Sequence, residues 1–358
     1  MQDDLFAGPA PVESAPNSRH TGARERPAGR VRRDVVASAE PDEALRALAV
    51  RMASSVHFGT SSWHFPGWKN LVWDDHDYAE SDLSRKGLSA YGRHPLMRTV
   101  SLDRAFYRPL SASQYAGLAA QVPEGFRFVV KAPSLVSDAL VRAEDGRGQQ
   151  TNPAFLDPVL ALNEFIEPAL EGLGPHVGAL VFQLSPLPAS MRQRPEEVIA
   201  RLGAMLGALP RVGERCPGAV IAVEVRDACL LTPQLVQVLK AAGATYCLGL
   251  HARMPPIDEQ LPLLRALWPG PLVCRWNLHR MHGAHGYEDA KKLYEPFDRL
   301  VDEDPHTRET LARVVAGTAG AGWPVYVTIN NKAEGSAPLS VQALARAVAA
   351  LSAPAEAA

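Results

Sequence analysis

The sequence has few cysteines, and their spacing excludes several kinds of site. Cys216, Cys229, Cys247 and Cys274 are the four cysteines among 358 residues. No two of them form the Cys-x-x-Cys spacing of zinc ribbons and dithiol redox motifs. Cys247 and Cys274 lie inside apolar runs, where a free thiol behaves as a small hydrophobic side chain. We therefore expect reduced cysteines and no disulfide framework.

Long apolar runs and an excess of one charge are also missing. No segment approaches the roughly 20 apolar residues that cross a bilayer, and the polar N-terminus lacks the apolar core of a signal peptide. With 37 Lys and Arg against 39 Asp and Glu, the formal net charge is -2, which gives no global attraction to nucleic acid or membranes. These features predict a soluble, cytoplasmic protein without a membrane partner.

Residues 1 to about 45 contain little apolar surface to offset the entropy of ordering, and prolines are scattered among Ser, Gly, Ala and charged residues. Five arginines lie between residues 24 and 33, with acidic residues nearby, as is typical of a solvated segment. The composition predicts a disordered N-terminal tail.

The start of this tail, Gln2-Asp3-Asp4-Leu5-Phe6, resembles the short motif by which bacterial repair and replication proteins dock on the DNA sliding clamp. In that type of recognition Leu5 and Phe6 would fill an apolar pocket and Gln2 would fix the register. The resemblance implies the clamp, and through it DNA, as partners. A string of this kind also arises by chance, so both interpretations stay open.

From residue 56 onward, short apolar runs alternate with helical patterns. Eight runs have the length and composition of buried strands: Val56–Ser61, Thr99–Phe106, Phe126–Ala132, Gly178–Leu184, Ala219–Val225, Thr245–Leu250, Leu272–Trp276 and Val325–Ile329. Between them, Thr232-Pro233 and Gly243 mark the start and end of one helix, and Ser340 is a candidate cap for the last. There is no GxGxxG after the first strand and no P-loop. Eight repeats predict an α/β fold, a single-domain (β/α)₈ barrel over residues 56–352.

Polar residues stand at or just beyond the C-terminal end of nearly every predicted strand, where barrels of this type build their sites. Charged groups there are costly unless they are paired or functional. The candidate site residues are Trp63, His64, Asp103, Tyr107, Arg108, Lys131, Gln183, Glu224, Arg226, Arg275, His279, Asn330, Asn331 and Lys332. Any one of the charged residues among them could simply form an ion pair at the rim of the barrel, but polar residues at the ends of nearly all strands indicate a site.

Glu224 is the candidate general base or nucleophile, and Lys131 and Asp103 are the other candidate catalytic residues. Lys131, Arg226 and Arg275 offer positive charge to an anionic group such as phosphate or carboxylate. The amides provide neutral hydrogen bonds, and the rings of Trp63 and Tyr107 suit a sugar or base. Glu224 facing Asp103 or Asp227 would permit glycosidase chemistry, although strand alternation turns Asp227 elsewhere.

Histidines give the main argument for a metal. His279, His282 and His285 recur every third residue, but no nearby carboxylate or cysteine completes a recognised ligand pattern. His251 is a separate candidate ligand or acid. We expect no bound metal and no cofactor.

Six segments, in this order, resemble the signatures of the YecE-like family, the domain of unknown function 72: FGTSSWHFPGW, AFYRPLS, EGFRFVVKAP, LVFQLSP, AVEVRD and INNKAEGSAPLS. The resemblance covers residues 56 to about 348 and implies a TIM-type barrel with no established activity. By position it implies a pocket of Trp63, Tyr107, Lys131, Gln183, Glu224, Arg226, Arg275, Asn330 and Asn331. Two departures concern one side of that pocket: Ser101 and Asp103 replace the family's Glu and Asn, and the seventh strand continues Trp-Asn-Leu-His after its Arg.

Three functions follow as expectations. The first is a hydrolase or lyase acting on an anionic, sugar- or nucleotide-containing substrate. The second is a DNA-repair or DNA-processing factor tethered to the sliding clamp, which Gln2, Leu5, Phe6 and the arginine cluster favour and the near-neutral charge opposes. The third is a barrel that binds a ligand without turning it over.

Overall fold

Eight parallel strands close into a barrel in the computed structural model, which describes residues 35–142, 148–283 and 286–352. The barrel strands are β1 Val56–Thr60, β2 Met97–Leu102, β3 Arg127–Lys131, β4 Val177–Gln183, β5 Val220–Glu224, β6 Thr245–Leu250, β7 Leu272–Trp276 and β8 Val325–Ile329. Neighbours in sequence pair with one another, and β1 pairs with β8 to close the ring. The predicted (β/α)₈ barrel and all eight strands are confirmed.

Helices surround this barrel. The longer ones are Glu43–Val50, Glu80–Lys86, Ala112–Ala119, Glu167–Leu173, Pro195–Ala208, Pro233–Ala242, Ile257–Ala266, Tyr287–Tyr294, Pro305–Gly320 and Ala337–Leu351. Short α-helical turns are Leu88–Tyr91, Ser134–Ser137, Pro158–Ala161, Ala189–Arg192 and Val212–Arg215, and a π-helical turn, Leu162–Ile166, precedes Glu167–Leu173. A small antiparallel pair, Leu140–Arg142 with Gly148–Thr151, follows β3.

Two predicted helix ends have different outcomes. Thr232 caps Pro233–Ala242, since its hydroxyl accepts a hydrogen bond from Leu235 N, and Gly243 ends that helix in the left-handed conformation with φ 63°. The prediction that Ser340 caps the last helix is wrong, because that helix begins at Ala337 and Ser340 lies buried within it. The Asn331 side chain accepts from Ala337 N at 2.8 Å, so the helix starts earlier than the sequence pattern indicates.

The second strand also ends earlier than predicted. β2 stops at Leu102, and Asp103–Phe106 forms a 3₁₀ turn instead of continuing the expected strand Thr99–Phe106. The turn carries Asp103 over the end of the barrel. It also turns the Phe106 ring toward Lys131 of the neighbouring strand.

Side-chain alternation separates two cores. Between strands and helices lies the large apolar core. Inside the barrel a smaller cluster comprises Val129, Ala179, Val181, Ala222, Cys247, Val273 and Tyr326. Four of these, on β3, β4, β5 and β7, stand two residues before Lys131, Gln183, Glu224 and Arg275. The same inward face therefore changes from apolar to polar at the carboxyl ends of the strands.

Residues before β1 pack on the barrel. Ser38 bridges to Trp73, Val36 is buried, and Glu43–Val50 is capped by the Asp42 carboxylate. Arg98 donates to the carbonyls of Ala49 and Ala53, which ties this helix to β2. The described structure thus includes residues 35–45, which composition assigns to the tail.

Gln2, Leu5 and Phe6 lie outside the described residues. Within the described ranges no helix is both long enough and apolar enough to cross a membrane.

Candidate active site

One buried guanidinium joins three strands of the site. Arg275, on β7, donates from Nη1 to Glu224 Oε2 at 2.7 Å and to Gln183 Oε1 at 2.8 Å. Its Nη2 donates to both oxygens of Asp103, each at 2.8 Å. Burial lowers the pKa of Arg275, but Asp103 and Glu224 more than reverse this, so its pKa lies above the ordinary value. Arg275 is a permanent cation held between two carboxylates.

Glu224 and Arg226 leave β5 on the same face of the strand. Glu224 is fully buried, and its second oxygen, Oε1, lies 2.7 Å from Arg226 Nη2. Arg226 also donates to Gln183 Oε1 at 3.1 Å. Gly249, on β6, leaves room for this carboxylate, because a Cβ there would lie 3.3 Å from Glu224 Cγ. Both oxygens of the candidate base therefore lie at ion-pair distance from an arginine, but only Oε2 accepts a hydrogen bond among the described residues.

Asp103 is the more accessible carboxylate, with 28% of its side chain exposed. Ser101, near the end of β2, donates to Asp103 Oδ1 at 2.7 Å. Burial raises the pKa of Asp103, but Arg275, Lys131 and the Ser101 hydrogen bond outweigh burial and hold that pKa below its usual value. Asp103 is thus an anion at neutral pH.

Lys131 ends β3 and is half-buried. Its Nζ lies 3.5 Å from the centre of the Phe106 ring, and it forms no ion pair or hydrogen bond with any residue that the structure describes. Burial lowers its pKa to about 8; Asp103 opposes that shift, and Arg275 and Arg226 reinforce it. Lys131 is the group of this cluster whose protonation changes near neutral pH.

The cluster has more positive than negative charge. Lys131, Arg226 and Arg275 face two carboxylates, Asp103 and Glu224. Nε of Arg226 and Nε of Arg275 are buried, and neither has an acceptor among the described residues. Together with Lys131 Nζ, these N–H groups are hydrogen-bond donors that no described residue uses.

Trp63 and His64, which follow β1, bind partners outside the arginine cluster. Trp63 is only 5% exposed, and its Nε1 donates to Leu83 O at 3.2 Å. His64 Nδ1 lies 3.1 Å from Glu80 Oε1, and its ring stacks on Phe65. Burial lowers the pKa of His64, while Glu80 opposes the shift. The Trp63 ring is covered and is a poor platform for a ligand.

Tyr107 and Arg108 lie on the loop that follows Asp103. Tyr107 is 51% exposed, with its ring edge-on to Phe106. Arg108 is exposed and lines a shallow cleft of about 450 Å³ together with Arg104 and Gln114. Both side chains are accessible from solvent beside the barrel end.

Asn330, Asn331 and Lys332 follow β8, but a 3₁₀ turn redirects them. Asn330 caps this turn by accepting from Lys332 N at 3.0 Å. Asn331 is buried and accepts from Trp68 Nε1 at 3.1 Å and from Ala337 N at 2.8 Å. These contacts anchor the loop instead of joining the arginine cluster.

Lys332 places Nζ 5.6 Å from the centre of the Tyr287 ring and 6.0 Å from that of Phe297. It is buried and packs among aromatic rings after β8. Its surroundings differ from those of Lys131.

The histidines after β6 and β7 have structural partners. His251 Nδ1 accepts from Arg253 N, and His279 Nδ1 accepts from Met281 N. His282 Nε2 lies 2.6 Å from the Tyr294 hydroxyl, and His285 falls outside the described residues. Across the three described ranges, no three His, Cys, Asp or Glu side chains are placed to hold a metal.

Asp227 lies away from Glu224, as alternation predicts, and its Oδ2 accepts from Leu187 N at 2.8 Å. Ser101 and Phe106 were not among the candidate site residues, although Ser101 was named as a departure from the family pattern. A signal existed for Ser101, because alternation along the predicted strand Thr99–Phe106 would place it on the same face as Asp103. Phe106 had none, since its position depends on the unforeseen 3₁₀ turn.

Comparison with solved structures finds DUF72 family proteins, and one with a TM-score above 0.5 agrees with the fold. A DUF72 family protein from Enterococcus faecalis is 18% identical in a structure solved at 3.10 Å, with a TM-score of 0.53 over 82% of this chain and 95% of that chain. A DUF72 family protein from Thermotoga maritima, also 18% identical, has a TM-score of 0.48 over 81% of this chain and 98% of that chain. No curated protein matches the chain. The family described as "Protein of unknown function DUF72" matches residues 57–358, and the chain therefore belongs to this YecE-like family.

Proposed function

We propose that the protein is an enzyme, a hydrolase or lyase, that binds a small anionic substrate at the carboxyl end of its barrel. The observation that supports this proposal is the unbalanced charge of the arginine cluster. Three cations face two carboxylates there, and Lys131 Nζ, Arg226 Nε and Arg275 Nε have no acceptor among the described residues. A phosphate or carboxylate would supply the missing negative charge and the missing acceptors.

Within this proposal the residues have different roles. Glu224 is fully buried with both oxygens beside arginines, so it positions Arg226 and Arg275 and is removed from the substrate. Arg226 and Arg275 contact the anionic group through their unused Nε donors, and Lys131 contacts the part of the substrate that reacts. Proton transfer falls to Lys131, whose pKa of about 8 suits general acid–base work at neutral pH. Tyr107, with its exposed ring, would stack on a sugar or base.

The geometry argues against paired-carboxylate glycoside hydrolysis. That mechanism needs one carboxyl group that stays protonated while a sugar lies between the pair. Here Arg275 lies between Asp103 and Glu224 and bonds to both, and the pKa of Asp103 is lowered. The proposal therefore favours chemistry on the anionic group or on a carbon beside it.

Calorimetric titration with inorganic phosphate tests the anion site. We expect saturable binding that Arg226→Gln weakens at least about tenfold, or about 1.4 kcal/mol. Arg194→Gln is the matched control, because Arg194 is an exposed arginine that pairs with Glu197 on a surface helix. Equal binding by the wild type and Arg226→Gln would contradict the proposal. Binding without turnover of any anionic substrate tested would favour a non-catalytic ligand-binding barrel.

A second candidate function rests on Gln2-Asp3-Asp4-Leu5-Phe6. Its similarity to clamp-docking peptides supports a DNA-repair or DNA-processing factor that the sliding clamp brings to DNA. A labelled peptide of residues 1–12 titrated against the bacterial clamp tests this. We expect micromolar binding that Leu5→Ala with Phe6→Ala abolishes. Absence of binding by the unmodified peptide would exclude clamp docking through this motif.

A further inference from the structure

Lys131 differs from the other cations of the site in having no fixed partner. The two arginines are held by carboxylates and by the Gln183 amide. The Lys131 amine contacts the Phe106 ring face and forms neither an ion pair nor a hydrogen bond within the described part of the chain. It stands at the carboxyl end of β3, and the charge of the partly exposed Asp103 acts on it.

Such an amine is suited to covalent chemistry. A lysine becomes nucleophilic when it is desolvated and placed next to other cations, since both effects favour the neutral amine. The groups acting on Lys131 are Asp103 after β2, Glu224 and Arg226 at the end of β5, and Arg275 on β7. At pH 7.5 a pKa of about 8 leaves about a quarter of the amine neutral, against about one part in a thousand for an ordinary lysine.

We propose that Lys131 forms an imine with the carbonyl carbon of an anionic aldehyde or ketone bound at this site. This inference rests on the anion site proposed above and names its substrate class: oxo acids and open-chain sugar phosphates. The phosphate or carboxylate of such a compound meets Arg226 and Arg275. Its carbonyl carbon then meets the Lys131 amine.

The step balances without a redox partner. Neutral Nζ attacks the carbonyl carbon, a C–N bond forms, and the C=O π bond breaks toward oxygen, which takes one proton from solvent and becomes the hydroxyl of a carbinolamine. Asp103 accepts a proton from the nitrogen and returns it to that hydroxyl, which leaves as water. The protonated imine that results withdraws electrons from the neighbouring carbon, which suits lyase chemistry on a bond beside the carbonyl.

Reductive trapping on the full-length protein tests the inference. The protein is incubated with cyanoborohydride and one of four probes: pyruvate, dihydroxyacetone phosphate, acetone or dihydroxyacetone. The hydride reduces the imine to a secondary amine, so the protein gains the probe mass less one oxygen. Peptide mapping then assigns the modified lysine. We expect single modification at Lys131 by the two anionic probes, at least about ten times faster than by their uncharged counterparts.

Two variants complete the test. Lys131→Arg keeps the charge but cannot form an imine, and we expect it to lose the modification. Lys240→Arg removes an exposed lysine on a surface helix, and it should leave trapping unchanged. Modification spread evenly over exposed lysines would overturn the inference.

Phosphate binding separates this inference from the anion site. If phosphate binds and Lys131 resists trapping, the imine is excluded while the anion site stands. If Lys131 is trapped equally by charged and uncharged probes, the imine stands and the anion site is excluded.

Discussion

Arg275 shows how one residue decides the electrostatics of the site. It is almost fully buried and bonds to Glu224 and Asp103, which lie on opposite sides of its guanidinium. Two carboxylates near one another would repel, and a buried one without a cation is strongly disfavoured. The planar fork of an arginine can satisfy both at once, which a lysine cannot.

We therefore predict that Arg275→Met lowers the free energy of unfolding by about 3–5 kcal/mol, because it leaves Glu224 buried with less compensation. Urea denaturation at pH 7 measures the loss. Arg275→Lys should lower the free energy of unfolding by less, because a lysine keeps the positive charge but lacks the second N–H group that bonds to Asp103. A loss under about 1 kcal/mol for Arg275→Met would contradict this account of the cluster.

Replacing Lys131 should have the opposite effect from replacing Arg275, because it should stabilise the protein. The pKa of Lys131 is about 8 in the folded protein and about 10.4 when unfolded. Below pH 8 Lys131 is charged in both states, and the full free-energy cost of burying its charge lowers the stability of the folded protein. Between pH 8 and about 10.4 the unfolded chain binds more protons than the folded protein, so this cost decreases as the pH rises. We predict that Lys131→Met raises the melting temperature by a few degrees at pH 7, and that this gain shrinks as the pH approaches 10.

Thermal unfolding of both proteins between pH 7 and pH 10 measures that difference. Lys240→Met serves as the control, because Lys240 is exposed on a surface helix. A gain that does not change with pH would show that packing, and not the charge of Lys131, is the cause.

At the scale of elements, the strands were predictable because strands buried on both faces are continuous apolar runs. Lys131, Gln183, Glu224 and Arg275 were predicted as site residues from their places at or next to the carboxyl ends of those strands. The pattern could not show that Arg275 would join Asp103 to Glu224, residues 172 and 51 positions away. That contact depends on barrel closure and on the 3₁₀ turn after β2.

The segment after β8 shows more clearly what a sequence pattern cannot predict. Asn331 and Lys332 follow a buried strand as Arg226 does, yet their partners are the Trp68 indole, Ala337 N and two aromatic rings. Their direction is decided by a turn that packs against distant residues. Sequence alone could not distinguish an anchor from a ligand-binding side chain here.

Asn331 should therefore act as an anchor. We predict that Asn331→Ala lowers the free energy of unfolding by about 2–4 kcal/mol, because it leaves the buried Trp68 and Ala337 N–H groups without an acceptor. Asn330→Ala, which removes one half-buried turn bond, should lose about 1 kcal/mol. Chemical denaturation compares the two. Equal stability of the variants would argue that Asn331 does not hold the loop.

On the scale of the whole molecule, residues that precede β1 pack against the loop that follows β1 and against the last helix. Val36, Leu48 and Ala49 are buried, and Arg51 donates to Ala349 O in the last helix. This segment joins the first and last parts of the chain, while residues 1–34 have the composition of a solvated tail. Removal of the two segments should therefore have different effects on the free energy of unfolding.

We predict that removing residues 1–34 leaves the free energy of unfolding unchanged, whereas removing residues 1–50 lowers it by about 3–5 kcal/mol, the value of burying two or three apolar side chains. Denaturant unfolding of the three proteins measures this. The shorter truncation should also keep phosphate binding, because the residues that form the arginine cluster all lie between Ser101 and Arg275. If it lost phosphate binding while its stability stayed the same, the tail would contribute to the site.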